Sequence, residues 1–263
     1  AAVYLTEYGE GMNIKSNVFV VTGAARGLGF AIAKDIACAG GNLALIDMNQ
    51  EGLDQAATRL SEYDVNLRSY VVNVAKEAEV VAVFDQIQED FGQIDGLVNN
   101  AGITRDALLV KQKDGEIEKM SIEAWQQVID VNLTGVFLCG REAAGKMLKH
   151  GRKGAIVNIS SISRDGNIGQ SNYSAAKAGV SALTATWGKE LARHGIRVGA
   201  VAPGFVNTDM VSTIPETVLD KIKGLIPLRR LAEPEEIAHT VRYIFENDYF
   251  TTRTIAIGGG MQV

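Results

Sequence analysis

The chain reads as an α/β protein: a single doubly wound domain of about seven parallel strands with helices on both faces. Three observations predict this. Short β-branched and aromatic runs alternate with Ala- and Leu-rich helical stretches from residue 18 to residue 257. The connections between them are mostly short, which implies repeated right-handed βα units. Glycines and small amides cluster just after the apolar runs, where ligands of such a sheet bind.

Each element has its own reason. Val18–Thr22 (VFVVT) is a buried strand, followed by Gly23-Ala-Ala-Arg-Gly-Leu-Gly29 and an Ala/Ile-rich helix to about Ala39. Strand, glycine loop and helix form the context in which glycines let a pyrophosphate approach a helix N-terminus. The spacing here is G-x-x-x-G-x-G. Asn42–Ile46 is the next strand and ends in Asp47, about 20 residues past the loop, where a carboxylate can accept hydrogen bonds from adenosine ribose hydroxyls. That carboxylate repels a 2′-phosphate, so Asp47 favours NAD(H); Arg26 pulls towards NADP(H), the alternative. A turn acid is the bland reading of Asp47.

Glu51–Glu62 is a helix, Leu67–Val72 a strand leading to Asn73-Val74, and Lys76–Phe91 an amphipathic helix. Ile94–Val98 is a strand that runs into Asn99-Asn-Ala-Gly102, small and amide residues suited to close backbone approach or to a plain turn. Thr104–Lys119, with KQKDGEIEK near its end, is a charged surface hairpin or loop. One long helix is expected from Ser121, its cap, to Lys149, with Asn132 inside it. Gly154–Ile159 is a strand ending at Ser160 and Ser161, and Gly195–Ala202 a strand stopped by Pro203-Gly204. Phe205–Gly224 is expected to be a mobile segment over the site, Pro234–Asn247 a helix and Thr254–Ile257 the last strand.

Ser160–Lys177 (SSISRDGNIGQSNYSAAK) organises the rest. Tyr173 and Lys177 stand four apart at the start of a helical run, so the ammonium can lie near the phenol. A free phenol titrates near a pKa of about 10. A fixed cation in a partly dry site can lower that value enough for acid–base work near neutral pH. The bland reading is a half-buried Tyr beside a Lys that snorkels to water.

Composition sets bounds. At 263 residues, 46% hydrophobic and net charge −5, the chain can bury a full α/β core, and its mild acidity argues against general nucleic-acid binding. No apolar run reaches the roughly 18 residues of a membrane span. Cys38 and Cys139 lack metal-like spacing and read as packing residues in a reducing, cytoplasmic setting; no metal site is expected. Residues 1–11 precede Met12 and fit no later pattern; they are expected to be a cloning remnant or disordered tail, leaving 12–263 as the catalytic domain.

Together, Thr22–Gly29, Asn99–Gly102, Asn132, the Ser pair, Tyr173-x-x-x-Lys177 and Pro203-Gly204 resemble the short-chain dehydrogenase/reductase family, in family order over residues 18–260. Asn73-Val74, NNAGITRD at 99–106, GNIGQSNY at 166–173 and APGFVNTDM at 202–210 are most similar to its β-ketoacyl-acyl-carrier-protein reductases. The resemblance implies a Rossmann fold, a nicotinamide cofactor and reduction of a 3-oxoacyl thioester. Tyr173 would exchange a proton with the substrate oxygen. Lys177 would lower its pKa and hold the ribose, and Asn132 would hold a relay water. A serine would hydrogen-bond the carbonyl. Family spacing from Tyr173 gives Ser160, whereas the strand register gives Ser161. Strand side chains alternate faces, and strands tolerate deletions less than loops, so Ser161 is chosen. Gly23, Ala25, Arg26, Gly27, Leu28, Gly29, Asp47, Asn73, Val74, Asn100, Ala101, Gly102, Tyr173, Lys177, Pro203, Gly204, Val206 and Thr208 would line the cofactor. The Val206 main chain would hold the carboxamide, and Thr208 would reach the phosphates.

Departures from the family pattern are the charged insertion around 111–119 and Asp47, since these reductases generally use NADPH. An acidic carrier protein calls for a basic patch by the site mouth, and Lys149, His150, Arg152, Lys153, Arg193 and His194 are assigned to it, the alternative being cations at helix C-termini. The resemblance implies a homotetramer, with no nucleic-acid or membrane partner. Two alternatives stand: a dehydrogenase of another secondary alcohol, sugar or steroid, and a non-catalytic nicotinamide sensor.

Overall fold

The computed structural model describes residues 12–208 and 215–261. The chain opens with β1 (Val18–Thr22), α1 (Gly27–Cys38), β2 (Asn42–Asp47), α2 (Gln50–Leu60), β3 (Leu67–Val71), α3 (Glu77–Phe91) and β4 (Gly96–Asn99). A hairpin, β5 (Val110–Lys113) and β6 (Glu116–Lys119), precedes α4 (Ile122–Ile129), a π turn over Asp130–Thr134 and α5 (Gly135–Lys149). Then come β7 (Gly154–Ile159), a 3₁₀ turn over Ile162–Asp165, α6 (Ser171–Leu191) and β8 (Ile196–Pro203). After β8 follow α7 (Glu216–Leu225), α8 (Pro234–Glu246) and β9 (Thr254–Ile257).

Seven strands pair in parallel in the order β3-β2-β1-β4-β7-β8-β9. The order reverses between β1 and β4, where a crevice opens beyond the strands' C-terminal ends. Alternation along the strands feeds two cores. Phe19, Val21, Leu43 and Leu45 face one side, against Ile32 and Ile36 of α1, Leu53 of α2 and Phe245 of α8. Val20, Ala44, Ile46 and Leu97 face the other, against Phe84 of α3 and Leu138 and Met147 of α5. This is the doubly wound fold that the alternating apolar runs predict.

Several local expectations change. The single helix expected over 121–149 is interrupted at the π turn, which puts one extra residue into the ladder at Asn132. Residues 216–224, expected to be part of a mobile segment, belong to α7 (Glu216–Leu225). The rest of that segment at 209–214, and the tail assigned to 1–11, lie outside the described residues. The charged insertion is an antiparallel hairpin turning at Asp114-Gly115, with φ of 52° and 85°. The largest correction concerns the basic clusters. Lys149–Lys153 leads into the start of β7 and Arg193–His194 into the start of β8, whereas the site residues follow the ends of those strands. Six to eight strand residues separate the two edges, roughly 20–25 Å. Within one chain these cations therefore lie opposite the mouth. Arg152 there pairs with the buried Asp95, and Lys146 with Asp85. No helix among the described residues is long and apolar enough to cross a membrane.

Candidate active site

The glycine loop sits between the end of β1 and the start of α1. Gly23 has φ +66°, and a Cβ on Gly29 would lie 2.0 Å from the Gly23 oxygen, so the loop folds onto itself only with glycine there. Arg26 is the N-cap of α1 without a side-chain capping bond to the helix, and the first turn holds no acid. The first N–H groups of α1 are thus left for an outside acceptor, with the helix dipole favouring an anion. Asp47 ends β2 beside this loop. One carboxylate oxygen accepts from Ala25 N at 3.1 Å and the other from Asn49 N at 3.1 Å. Ionised carboxylates have about four acceptor sites, so capacity remains for ribose hydroxyls. Thr208 lies above Gly27, within 3.6 Å of where a Cβ there would stand. On this donor set the residues fit a dinucleotide cofactor.

The remaining positions assigned to the cofactor follow the C-terminal ends of the strands, at the same edge of the sheet. The Asn100 amide donates to the Thr22 and Gly23 carbonyls at 3.1 Å each, bracing the glycine loop from β4. Gly102 adjoins the Asn132 amide, and Val74 packs against Gly135. The Asn73 side chain closes its own turn by accepting from Ala75 N at 3.0 Å. Gly204 is held to β9 by a bond from its N–H to Ile257 O at 2.8 Å, and the buried Val206 bridges to Ala232.

The Tyr–Lys pair comes together as its spacing predicts, with one difference in where it sits. Helix α6 starts at Ser171, so Tyr173 lies in its first turn rather than ahead of it. Lys177 is buried, and its Nζ donates to Ile159 O at 2.7 Å while lying 5.6 Å from the Tyr173 ring centroid. The two serines face opposite ways. Ser160 Oγ donates to Lys177 O at 2.9 Å and contacts Ser181 Oγ at 3.0 Å, inside the packing of β7 on α6. Ser161 Oγ accepts from Ser163 N at 3.1 Å, and its hydroxyl faces the Tyr173 phenol, whose pKa it lowers. Asn132 is fully buried, and both ends of its amide bind Ile103 main chain at 2.9 Å.

The electrostatics differ from expectation. Tyr173 does not titrate below the usual phenol value. Burial pushes it up to about 12, the Ser161 hydrogen bond pulls it down, and the Asp106 carboxylate pushes it further up. Burial brings Lys177 down to about 8. Desolvation penalises the charged form of both groups.

Sequence reasoning assigned no role to several buried polar groups. Thr22 Oγ1 accepts from Asn100 N and Ala101 N at 3.0 and 3.1 Å, holding the end of β4 against β1. The amides of Asn99 and Asn158 join at 2.9 Å, and Asn158 donates to Thr184 Oγ1 at 3.0 Å. An Asn inside the apolar run of β7 was the available signal. Asn172, next to Tyr173, is fully buried with three hydrogen bonds.

A glycine loop opening α1, a carboxylate ending β2, a serine after β7 and a Tyr–Lys pair at the start of α6 gather at one edge of the sheet, in keeping with a nicotinamide-dependent oxidoreductase. A family model described as enoyl-(acyl carrier protein) reductase matches residues 23–262. The chain belongs to the short-chain dehydrogenase/reductase family. Among curated relatives, it is 40% identical to the 3-oxoacyl-(acyl-carrier-protein) reductase FabG of Thermotoga maritima over 255 residues, 96% of this chain and 100% of the relative. The enzyme of the same name from Aquifex aeolicus is 39% identical over 254 residues, 95% of this chain and 99% of the relative. That from Staphylococcus epidermidis is 42% identical over 249 residues, 92% and 97%.

Proposed function

We propose that the protein reduces the 3-oxo group of an acyl thioester, bound to a carrier protein or to coenzyme A, to the 3-hydroxy form. The observation that supports this most directly is the Ser161–Tyr173–Lys177 cluster, read with relatives whose names give that reaction. A nicotinamide cofactor, when bound, would supply the hydride. Ser161 and Tyr173 hydrogen-bond the carbonyl oxygen, and the phenol gives that oxygen its proton as charge develops. A phenol pushed up to about 12 is protonated at neutral pH, the form a proton donor needs. Lys177 holds the nicotinamide ribose and replenishes the Tyr173 proton. Asn132 organises the relay water through its main chain, since its side chain is bound to Ile103.

The α1 N-terminus, the glycine loop and Thr208 hold the pyrophosphate, Asp47 holds the adenosine ribose, and the Val206 main chain holds the carboxamide. Asp47 favours NADH over NADPH, because a 2′-phosphate there would meet the carboxylate. The proposed setting is cytoplasmic, with an acyl carrier protein as the donor of substrate and a homotetramer as the assembly.

The test is nicotinamide oxidation with acetoacetyl-CoA, NADH against NADPH, for wild type and Tyr173→Phe. Turnover preferring NADH and falling about 1,000-fold in the variant is the expected result. Preference for NADPH would overturn the role of Asp47. Tight cofactor binding without turnover would favour a dehydrogenase of another alcohol, or the sensor reading.

A further inference from the structure

The segment 103–107 lies between the Asn132 region and the first turn of α6, and every tie it makes there is specific. Ile103 is bound through both its N–H and its carbonyl to the Asn132 amide at 2.9 Å. The Arg105 carbonyl accepts from Asn172 Nδ2 at 2.9 Å. Asp106 accepts from Gln170 Nε2 at 3.0 Å, and Ala107 N donates to Gly169 O at 2.8 Å. Three of these partners, Gly169, Gln170 and Asn172, fall within the four residues before Tyr173.

Asn172 differs from the other two. It is fully buried, and both of its amide hydrogens are used: Nδ2 donates to Arg105 O and, at 3.0 Å, to Ala124 O in the first turn of α4, while Oδ1 accepts from Tyr173 N at 2.8 Å. The N-cap of α6, Gln170, makes no side-chain cap, and the first turn of α6 contains no acid. The Tyr173 N–H is one of the orphan donors of that helix start, and its acceptor is the side chain one residue back. One amide therefore fixes Tyr173 main chain to α4 and to segment 103–107 at once.

We infer that Asn172 is a positioning residue for proton transfer, which sets the place of the Tyr173 hydroxyl relative to Ser161 and Lys177 by tying the first turn of α6 to α4 and residue 105. The inference rests on Tyr173 being the proton donor. A packed apolar side chain at 172 would fill the space but leave Arg105 O, Ala124 O and Tyr173 N without their partner, freeing the turn to shift. Displacements of about 1 Å at a reacting group cost roughly 100-fold in rate.

The experiment measures steady-state reduction of acetoacetyl-CoA by Asn172→Ala and Asn172→Ser, with active sites counted by bound NADH fluorescence. Asn172→Ala is expected to lower kcat per site by roughly 10- to 100-fold, with KM for the thioester and Kd for NADH changed less than about threefold. Asn172→Ser, which keeps a short acceptor for Tyr173 N, is expected to fall between it and wild type. The pH profile of kcat is expected to move in Asn172→Ala, because the phenol leaves its place beside Ser161. A kcat per counted site within about threefold of wild type and an unmoved pH profile would overturn the inference, as would a loss explained by fewer NADH-binding sites alone. If Asn172→Ala does not fold, the same two criteria apply to Asn172→Ser. Tyr173→Phe is the control: full activity there sinks the proton-donor reading itself, whereas an inactive Tyr173→Phe beside an unimpaired Asn172→Ala sinks only the positioning role.

Discussion

Lys177 is the residue at which burial and charge conflict. Burial holds its ammonium near a pKa of about 8, against about 10.4 for a lysine in an unfolded chain. Between those values the unfolded chain binds the extra proton, so stability rises with pH across that window. Below pH 8 the cost of charging the buried group is present in full, of the order of 3 kcal/mol, offset in part by the bond to Ile159 O. Lys177→Met is therefore expected to melt higher than wild type at pH 7 while losing turnover, and the gain is expected to shrink as pH rises from 8 to 10. Thermal denaturation of both proteins at several pH values checks this; a gain that holds constant with pH would contradict it. The Tyr173–Lys177 spacing was legible in the sequence because i and i+4 share a helix face. The direction of the Tyr173 shift was not, because it depends on how deeply the fold buries the hydroxyl and on Asp106, 67 residues away along the chain.

At the scale of elements, the hairpin β5–β6 stands apart. All eight of its strand residues are exposed, and an isolated two-stranded hairpin adds little stability in water. Replacing residues 110–119 by a short turn is expected to leave Tm within about 2 °C of wild type, as measured by calorimetry; a larger fall would mean the hairpin packs on the body of the protein. The Asp114-Gly115 pair is the turn signal of such a hairpin, and the alternating residues around it left only hairpin or loop open. The π turn was illegible for a different reason. One added residue at Asn132 shifts the apolar pattern of 121–149 by less than a third of a turn, which a sequence pattern absorbs. Ser160 and Ser161 separated because the faces of β7 alternate, a rule that needs only the strand's register.

At the scale of the molecule, the sheet has two edges with different work. The C-terminal edge gathers the glycine loop, Asp47, Ser161 and Gly204. The N-terminal edge holds Arg152 against Asp95, which also accepts from Val18 N at 2.9 Å and Gln93 at 2.7 Å. Arg152→Ala is expected to cost about 1–3 kcal/mol of stability, since it strips a partner from a buried carboxylate while its own half-exposed side chain limits the loss. Urea denaturation and steady-state kinetics at 25 °C test this; a changed kcat would show that the two edges are coupled. The basic residues of that edge were misplaced by reading the chain without its direction: a helix that ends in cations delivers them to the start of the next strand, across the sheet from the crevice.

The strand order has a consequence for how the protein comes into being. β4 must slot beside β1 after β2 and β3 have been made, and β7, β8 and β9 then extend the sheet away from that junction. Local hairpin contacts do little of this assembly; nearly every sheet pairing joins distant parts of the chain, the kind of topology that folds slowly. During synthesis the glycine loop and Asp47 emerge well before Tyr173, and Val206 later still. A partly made chain thus holds half a nucleotide cradle without its chemistry, and its uncovered β4 edge is the surface most exposed to mispairing until β7 arrives.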